Sequence, residues 1–149
     1  MTRILFSVMM FGLIIISANS VSAQRKSVSA AEATGTFSIG KEDNEMKILP
    51  LGGGKLKVEF SLIYTRTMEN GETMAHTGEP SGIATIKGDV AILDLSQDGR
   101  VCKITMKFLK PGTIEVSEGD DCGGIVGGMN VSSYGIYKRI SAKKPKFSF

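Results

Sequence analysis

Residues 55–64 read Lys-Leu-Lys-Val-Glu-Phe-Ser-Leu-Ile-Tyr, and this stretch decides the fold. Leu56, Val58, Phe60, Leu62 and Tyr64 alternate with Lys57, Glu59 and Ser61. Apolar residues at every second position share one face of a strand, because successive side chains point to opposite sides. Residues 101–109 repeat the pattern: Cys102, Ile104, Met106 and Phe108 oppose Lys103, Thr105 and Lys107. Both stretches predict strands of an antiparallel sheet with one dry face and one wet face.

Turn residues cut the rest of the chain into similar pieces. The Lys41–Asn44 stretch, the Gly52-Gly53-Gly54 run, Gly88-Asp89, Asp98-Gly99 and Pro111-Gly112 each sit between short strand-like segments. About eight strands follow, joined mostly by tight turns, with the last at residues 133–140. No stretch carries an amphipathic helical period with caps. The fold class expected is all-β: a single antiparallel up-and-down β-barrel of about eight strands, closed by pairing of the first and last strands near Phe37 and Tyr137. A two-sheet sandwich is the alternative that fits the same pattern.

Upstream, Arg3 precedes an apolar run from Ile4 to Ile16, followed by small and polar residues ending Val21-Ser22-Ala23. This is the pattern of a secretory signal peptide cut after Ala23. The run falls short of the roughly 20 residues that span a bilayer. The organisation expected is a signal peptide at 1–23, a flexible lead-in at 24–33, the barrel at 34–142 and a basic C-terminal tail at 143–149. The expected location is the periplasm or the exterior.

Export gives meaning to the two cysteines, Cys102 and Cys122, because an oxidising compartment favours a disulfide. With the Pro111 turn as a hairpin centre, Cys102 falls opposite a position near 121 or 122. A bond there closes a loop worth about 3 kcal/mol of chain entropy.

The chain holds 18 Lys and Arg against 15 Asp and Glu. Arg3 is the one charge in the signal, so 17 basic residues face 15 acidic ones downstream. Such balance argues against a dedicated nucleic-acid binder. His76 is the only histidine. With Met68 and Met74 it forms a soft-ligand set, but without a recognised spacing, so no metal site and no cofactor are expected. There is no Gly-x-Ser-x-Gly elbow, and the neighbouring Asp120 and Asp121 suit a turn better than a facing acid pair. Gly123 to Gly128 lacks the Lys-Ser/Thr and following helix of a phosphate loop. No catalytic residue is assigned. The polar stretch 67–81 and the glycine-rich stretch 119–130 read as loops, where binding on a rigid barrel usually resides.

The second half resembles small exported bacterial β-barrel proteins of the lysozyme-inhibitor type. The likeness rests on Val101-Cys102-Lys103-Ile104, Asp121-Cys122-Gly123, Asn130-Val131 and Gly135-Ile136-Tyr137-Lys138. Ser81-Gly82 and Lys87-Gly88-Asp89-Val90-Ala91 are also similar to motifs of membrane-bound inhibitors of c-type lysozyme. The resemblance implies that Ser81 and Lys87 enter an enzyme cleft and meet its acidic catalytic residues. The sequence departs from that pattern in its shorter Ser-to-Lys spacing, its missing aromatics and the lack of a lipid-attachment cysteine. The function expected is an exported, non-enzymatic binding protein with a lysozyme-like partner. The alternatives are a calycin-type barrel holding a small ligand and an outer-membrane barrel. The first lacks the tryptophan of its relatives, and the second rests mainly on the terminal Phe149.

Overall fold

A computed structural model describes residues 27–40 and 44–149. The stretch expected to be a signal peptide with its cleavage point, residues 24–26, and most of the 41–44 turn lie outside the described residues.

Among the described residues a one-turn helix and nine strands follow one another. They are α1 (Ala30–Ala33), β1 (Gly35–Ser38), β2 (Glu45–Gly52), β3 (Lys55–Thr67), β4 (Thr73–Gly78), β5 (Ser81–Lys87), β6 (Val90–Asp94), β7 (Lys103–Lys110), β8 (Thr113–Glu118) and β9 (Gly135–Ser141). All pairings are antiparallel. The first strand pairs the last, Phe37 opposite Arg139, while β2 pairs both β1 and β3. Eight strands therefore close into a barrel, and the sandwich alternative is excluded. Closure removes the exposed edges of an open sheet.

The alternation of residues 55–64 works as expected. Leu56, Val58, Phe60 and Leu62 face inward and are buried. Phe37, Met46, Ile48, Leu93, Ile104, Met106, Phe108, Ile114, Val116 and Tyr137 complete one contiguous core. These side chains occupy the barrel interior. The outward positions carry Lys47, Lys57, Lys103, Lys107, Glu115 and Lys138. Ile83, Ile92, Ile136 and Ile140 are exposed among them, and the packed apolar interior differs from the polar lumen of a membrane-spanning barrel. No helix among the described residues is long and apolar enough to cross a membrane.

Tyr137 is the one buried phenol of the core, and its hydroxyl has no hydrogen-bond partner among the described residues. Burial first, and the charge of Glu118 second, push its ionisation well above the ordinary phenol range. It stays neutral at any physiological pH.

Two expectations need correction. The stretch 67–81 is not a loop, because β4 lies within it and pairs with the second half of β3. Part of the 24–33 lead-in is ordered: Ser29 and Glu32 form a capping box, with Glu32 N–H to Ser29 Oγ at 3.2 Å and Ser29 N–H to Glu32 Oε2 at 3.0 Å. Ala33 is buried against the barrel, and the Arg139 guanidinium donates to the Glu32 carbonyl oxygen. One helical turn is too short to show a hydrophobic period, so only the Ser-x-x-Glu signature could have revealed it.

The basic tail makes contacts of its own. It folds back over the outer face of β3. Ser148 N–H donates to Glu59 Oε2 at 2.6 Å, and Lys57 donates to the Phe149 carbonyl oxygen. The Lys57 ammonium also lies 4.9 Å from the Phe147 ring centre and 4.2 Å from that of Phe149. Such cation–π contacts contribute about 0.5–1 kcal/mol each at exposed sites.

Glu59 is the anchor of this contact. It stands directly across from Lys47, whose ammonium approaches its carboxylate to 2.7 Å. Burial alone would raise its pKa. The Lys47 hydrogen bond, the Ser148 amide and the charges of Lys47 and Lys57 outweigh burial and hold it below the ordinary carboxylate value. A carboxyl depressed on folding stabilises fully above its unfolded pKa, about 4.3, and that contribution is lost as pH falls through the folded value. Glu59→Gln should therefore cost on the order of 1 kcal/mol near neutrality. The difference from the parent should shrink toward zero below about pH 4. Urea titrations across that range measure it; a gap independent of pH would contradict the assignment.

Candidate functional site

The barrel rim carries the most distinctive feature of the molecule. The pairs Leu62–Gly78 and Lys55–Thr85 belong to one register, so β4 and β5 are two halves of a single long strand interrupted at Glu79-Pro80. Phe60 N–H donates to the Pro80 carbonyl oxygen at 2.9 Å across the break. The first half of β3 lies in the barrel wall between β2 and β5. Its second half runs past the wall and pairs only with β4. The result is a two-stranded arm at the rim. Its tip is a tight turn in which Met68 N–H donates to the Glu72 carbonyl at 2.7 Å and Glu72 N–H to Asn70 Oδ1 at 3.1 Å.

Register sorts the arm side chains. Tyr64, Arg66, Met74 and His76 share one face; Thr65, Thr67, Thr73 and Thr77 share the other. Tyr64 stands across from His76, and the two rings stack with centres 6.4 Å apart and planes at 28°. Met68 and Met74 are exposed. At the base of the arm, the Ile63 amide donates to Asn44 Oδ1 at 2.6 Å.

The glycine-rich stretch braces the arm. Cys102 and Cys122 are at bonding distance, with sulfurs 2.16 Å and Cα atoms 4.6 Å apart. Cys122 ends a 3-10 turn, Asp120–Cys122, so the two acids occupy a turn as their adjacency suggested. From Cys122 the chain turns twice, with Ile125 and Val126 amides donating to the Cys122 carbonyl. Val126 is buried in the core. Gly128 N–H then donates to the Thr77 carbonyl at 3.0 Å, covering the outer edge of β4 at that point.

Glycine is required on both sides of this contact. A Cβ on Gly78 would overlap the Val126 carbonyl oxygen and lie 2.8 Å from Gly127 Cα. A Cβ on Gly127 would lie 2.8 Å from Gly78 Cα and 2.7 Å from the Val131 side chain. Backbone meets backbone here, so no side chain fits. This is the physical reason for glycine at positions 78 and 127.

Beyond it, Glu118 accepts from Ser132 Oγ at 3.0 Å, from Ser133 Oγ at 2.7 Å and from the Ser133 amide. These bonds seat the loop end on β8. Between arm and loop lies a cleft of about 210 Å³, lined by Ile39, Asn44, Ile63, Tyr64, Asn130, Ser132 and Tyr134. Tyr134 is 69% exposed.

Ser81 and Lys87 lie elsewhere. Ser81 begins β5 opposite Glu59, and Lys87 ends it opposite Val90. Six residue steps along the strand separate them by roughly 20 Å. Both point outward from the barrel wall, and neither sits on the arm or its bracing loop. The structure does not bring them together. Conversely, the 67–81 stretch reads as a loop, because a strand exposed along most of its length has no apolar alternation to detect. Among the described residues no group of three or more His, Cys, Asp or Glu side chains gathers around one point.

No protein-family model, curated protein or solved structure matches this chain.

Proposed function

We propose that the protein is an exported, non-enzymatic binding protein that inserts its arm into the concave surface of a protein partner. A lytic enzyme such as lysozyme is the partner class put forward. The single observation carrying this reading is the arm itself: a hairpin exposed on both faces, standing beyond the barrel wall and braced at its base by a disulfide-held loop. Rigid projecting elements suit clefts because little order is lost on docking. The arm offers Arg66 for an acidic site and Met68 and Met74 for apolar contact, and Tyr134 stands exposed across the cleft beside it. Glycoside-cleaving enzymes carry paired acids in such a cleft.

Export is part of this proposal. Its support is the Arg3 and apolar pattern ending at Ala23, with which a Cys102–Cys122 bond is compatible. The small-ligand alternative is less favoured, because Phe37, Phe60, Tyr137 and the other core side chains take up the interior. The packed apolar interior, and the lysines interspersed on the outer wall, weigh against insertion in a membrane.

Inhibition of a panel of lysozymes by the purified chain tests the reading. A one-to-one complex with loss of bacterial-wall lysis is expected. Lys87→Ala and Arg66→Ala separate two contact surfaces: loss on Arg66→Ala alone supports the arm, whereas loss on Lys87→Ala alone moves the contact to the β5 end. No inhibition together with no complex on gel filtration would overturn the lytic-enzyme version.

A further inference from the structure

We propose that Met74, His76 and Met129 form a binding site for a soft monovalent cation of the Cu(I) and Ag(I) class. Spacing in the sequence gives no hint of it, because the third ligand comes from a distant loop and the apparent one, Met68, is misplaced. Register decides the matter. Met74 and His76 lie two residues apart on the same face of β4, separated by roughly 7 Å along the strand. Met68 instead reaches the tip, where its amide bonds the Glu72 carbonyl. That puts it four strand positions beyond Tyr64, the partner of His76, or roughly 13 Å away along the ribbon. Met68 is therefore the more remote of the two methionines from His76.

Met129 takes the place of Met68. It occupies the turn closed by the Val131 N–H to Gly128 carbonyl bond, 3.1 Å. On one side of it, Gly128 presses on His76: a Cβ at Gly128 would lie 3.2 Å from His76 Cβ and 3.4 Å from Nδ1. On the other side, Asn130 lines the same cleft as Tyr64. Met129 is thus held between a residue touching His76 and a residue beside its stacked neighbour. Its side chain is 72% exposed and that of Met74 is 46% exposed, so both thioethers are accessible.

The donor set selects the ion. Two thioethers and one imidazole are soft or borderline ligands, suited to Cu(I). None carries negative charge, and Arg66 stands across from Met74 on the same face. A neutral ligand set beside a fixed cation penalises a divalent ion more than a monovalent one. The Tyr64 ring, stacked on His76, offers a π face near the site. The disulfide-held loop fixes Met129 relative to β4 before any ion arrives, which reduces the ordering cost of binding.

This site does not depend on the lytic-enzyme reading, since it is tested on the purified chain with the metal alone. Calorimetric titration with Ag(I), which avoids redox chemistry, should give one tight site. Met74→Leu and Met129→Leu, which conserve volume, should each weaken it at least tenfold, and Met68→Leu should leave it unchanged. In spectra of methyl-labelled methionine, the Met74 and Met129 signals should move and that of Met68 should not. Absence of Ag(I) binding, binding indifferent to both Leu variants, equal loss in Met68→Leu, or equal affinity for Zn(II) would overturn the proposal.

Discussion

Phe60→Ala should destabilise the protein by about 3–5 kcal/mol, the usual range for emptying a buried phenyl site. Phe60 is fully buried. Its ring meets Tyr137 edge to face, centres 6.0 Å apart and planes at 78°. It therefore links β3 to β9 across the barrel interior, one strand from the β1–β9 pairing that closes it. Its backbone sits opposite the Glu79-Pro80 break, where barrel wall becomes arm. Small domains are stable by only about 5–15 kcal/mol, so the loss would take a large share of the total. Urea unfolding should show a lower midpoint with an unchanged slope. A loss below about 1 kcal/mol would mean that the interior is not packed around this ring.

Replacing both Cys102 and Cys122 by alanine should cost about 3 kcal/mol, from restored chain entropy across their separation of 20 residues. The loss should also be local in character. The loop from Cys122 to Val131 is tied at one end by this bond and along its length by Gly128 to Thr77. Freed at Cys122, it should exchange the Val126 and Gly128 amides much faster, while amides of β6 and β7 keep their protection. Arm amides paired between β3 and β4 should show an intermediate effect. Hydrogen exchange followed by NMR reads all three groups in one experiment. Uniform acceleration throughout the barrel would show instead that the bond holds the whole fold together.

What was legible in the sequence follows from burial. Strands with one dry face declare themselves, as Leu56, Val58, Phe60 and Leu62 did. Their glycine and proline turns then set the meander and placed Cys102 near Cys122 across one hairpin. Elements without a dry face are silent. β4 reads Thr-Met-Ala-His-Thr-Gly and is exposed along most of its length, so nothing in its composition distinguishes it from a polar loop. Its strand character comes from pairing with β3 and from a register that sequence alone does not display. The tail was equally hidden, because its contacts join Phe147 and Phe149 to Lys57 on a distant strand. The two stretches expected to carry binding, 67–81 and 119–130, lie against each other in the fold. Their union was not readable, since it depends on Gly78 and Gly127 meeting where neither can bear a side chain. Ser81 and Lys87, suggested by resemblance, are separated by the full length of β5.

The working claim is that this arm is the part of the molecule that engages a partner. The direct measurement compares complex formation with lysozymes by the intact chain and by a variant in which residues 67–73 are replaced with a two-residue Asn-Gly turn. Thermal unfolding of the two proteins serves as the check that the barrel is intact. The intact chain should form a complex and the shortened arm none, with closely similar unfolding of the barrel in both. Equal binding by the two proteins, or no binding by either, would contradict it.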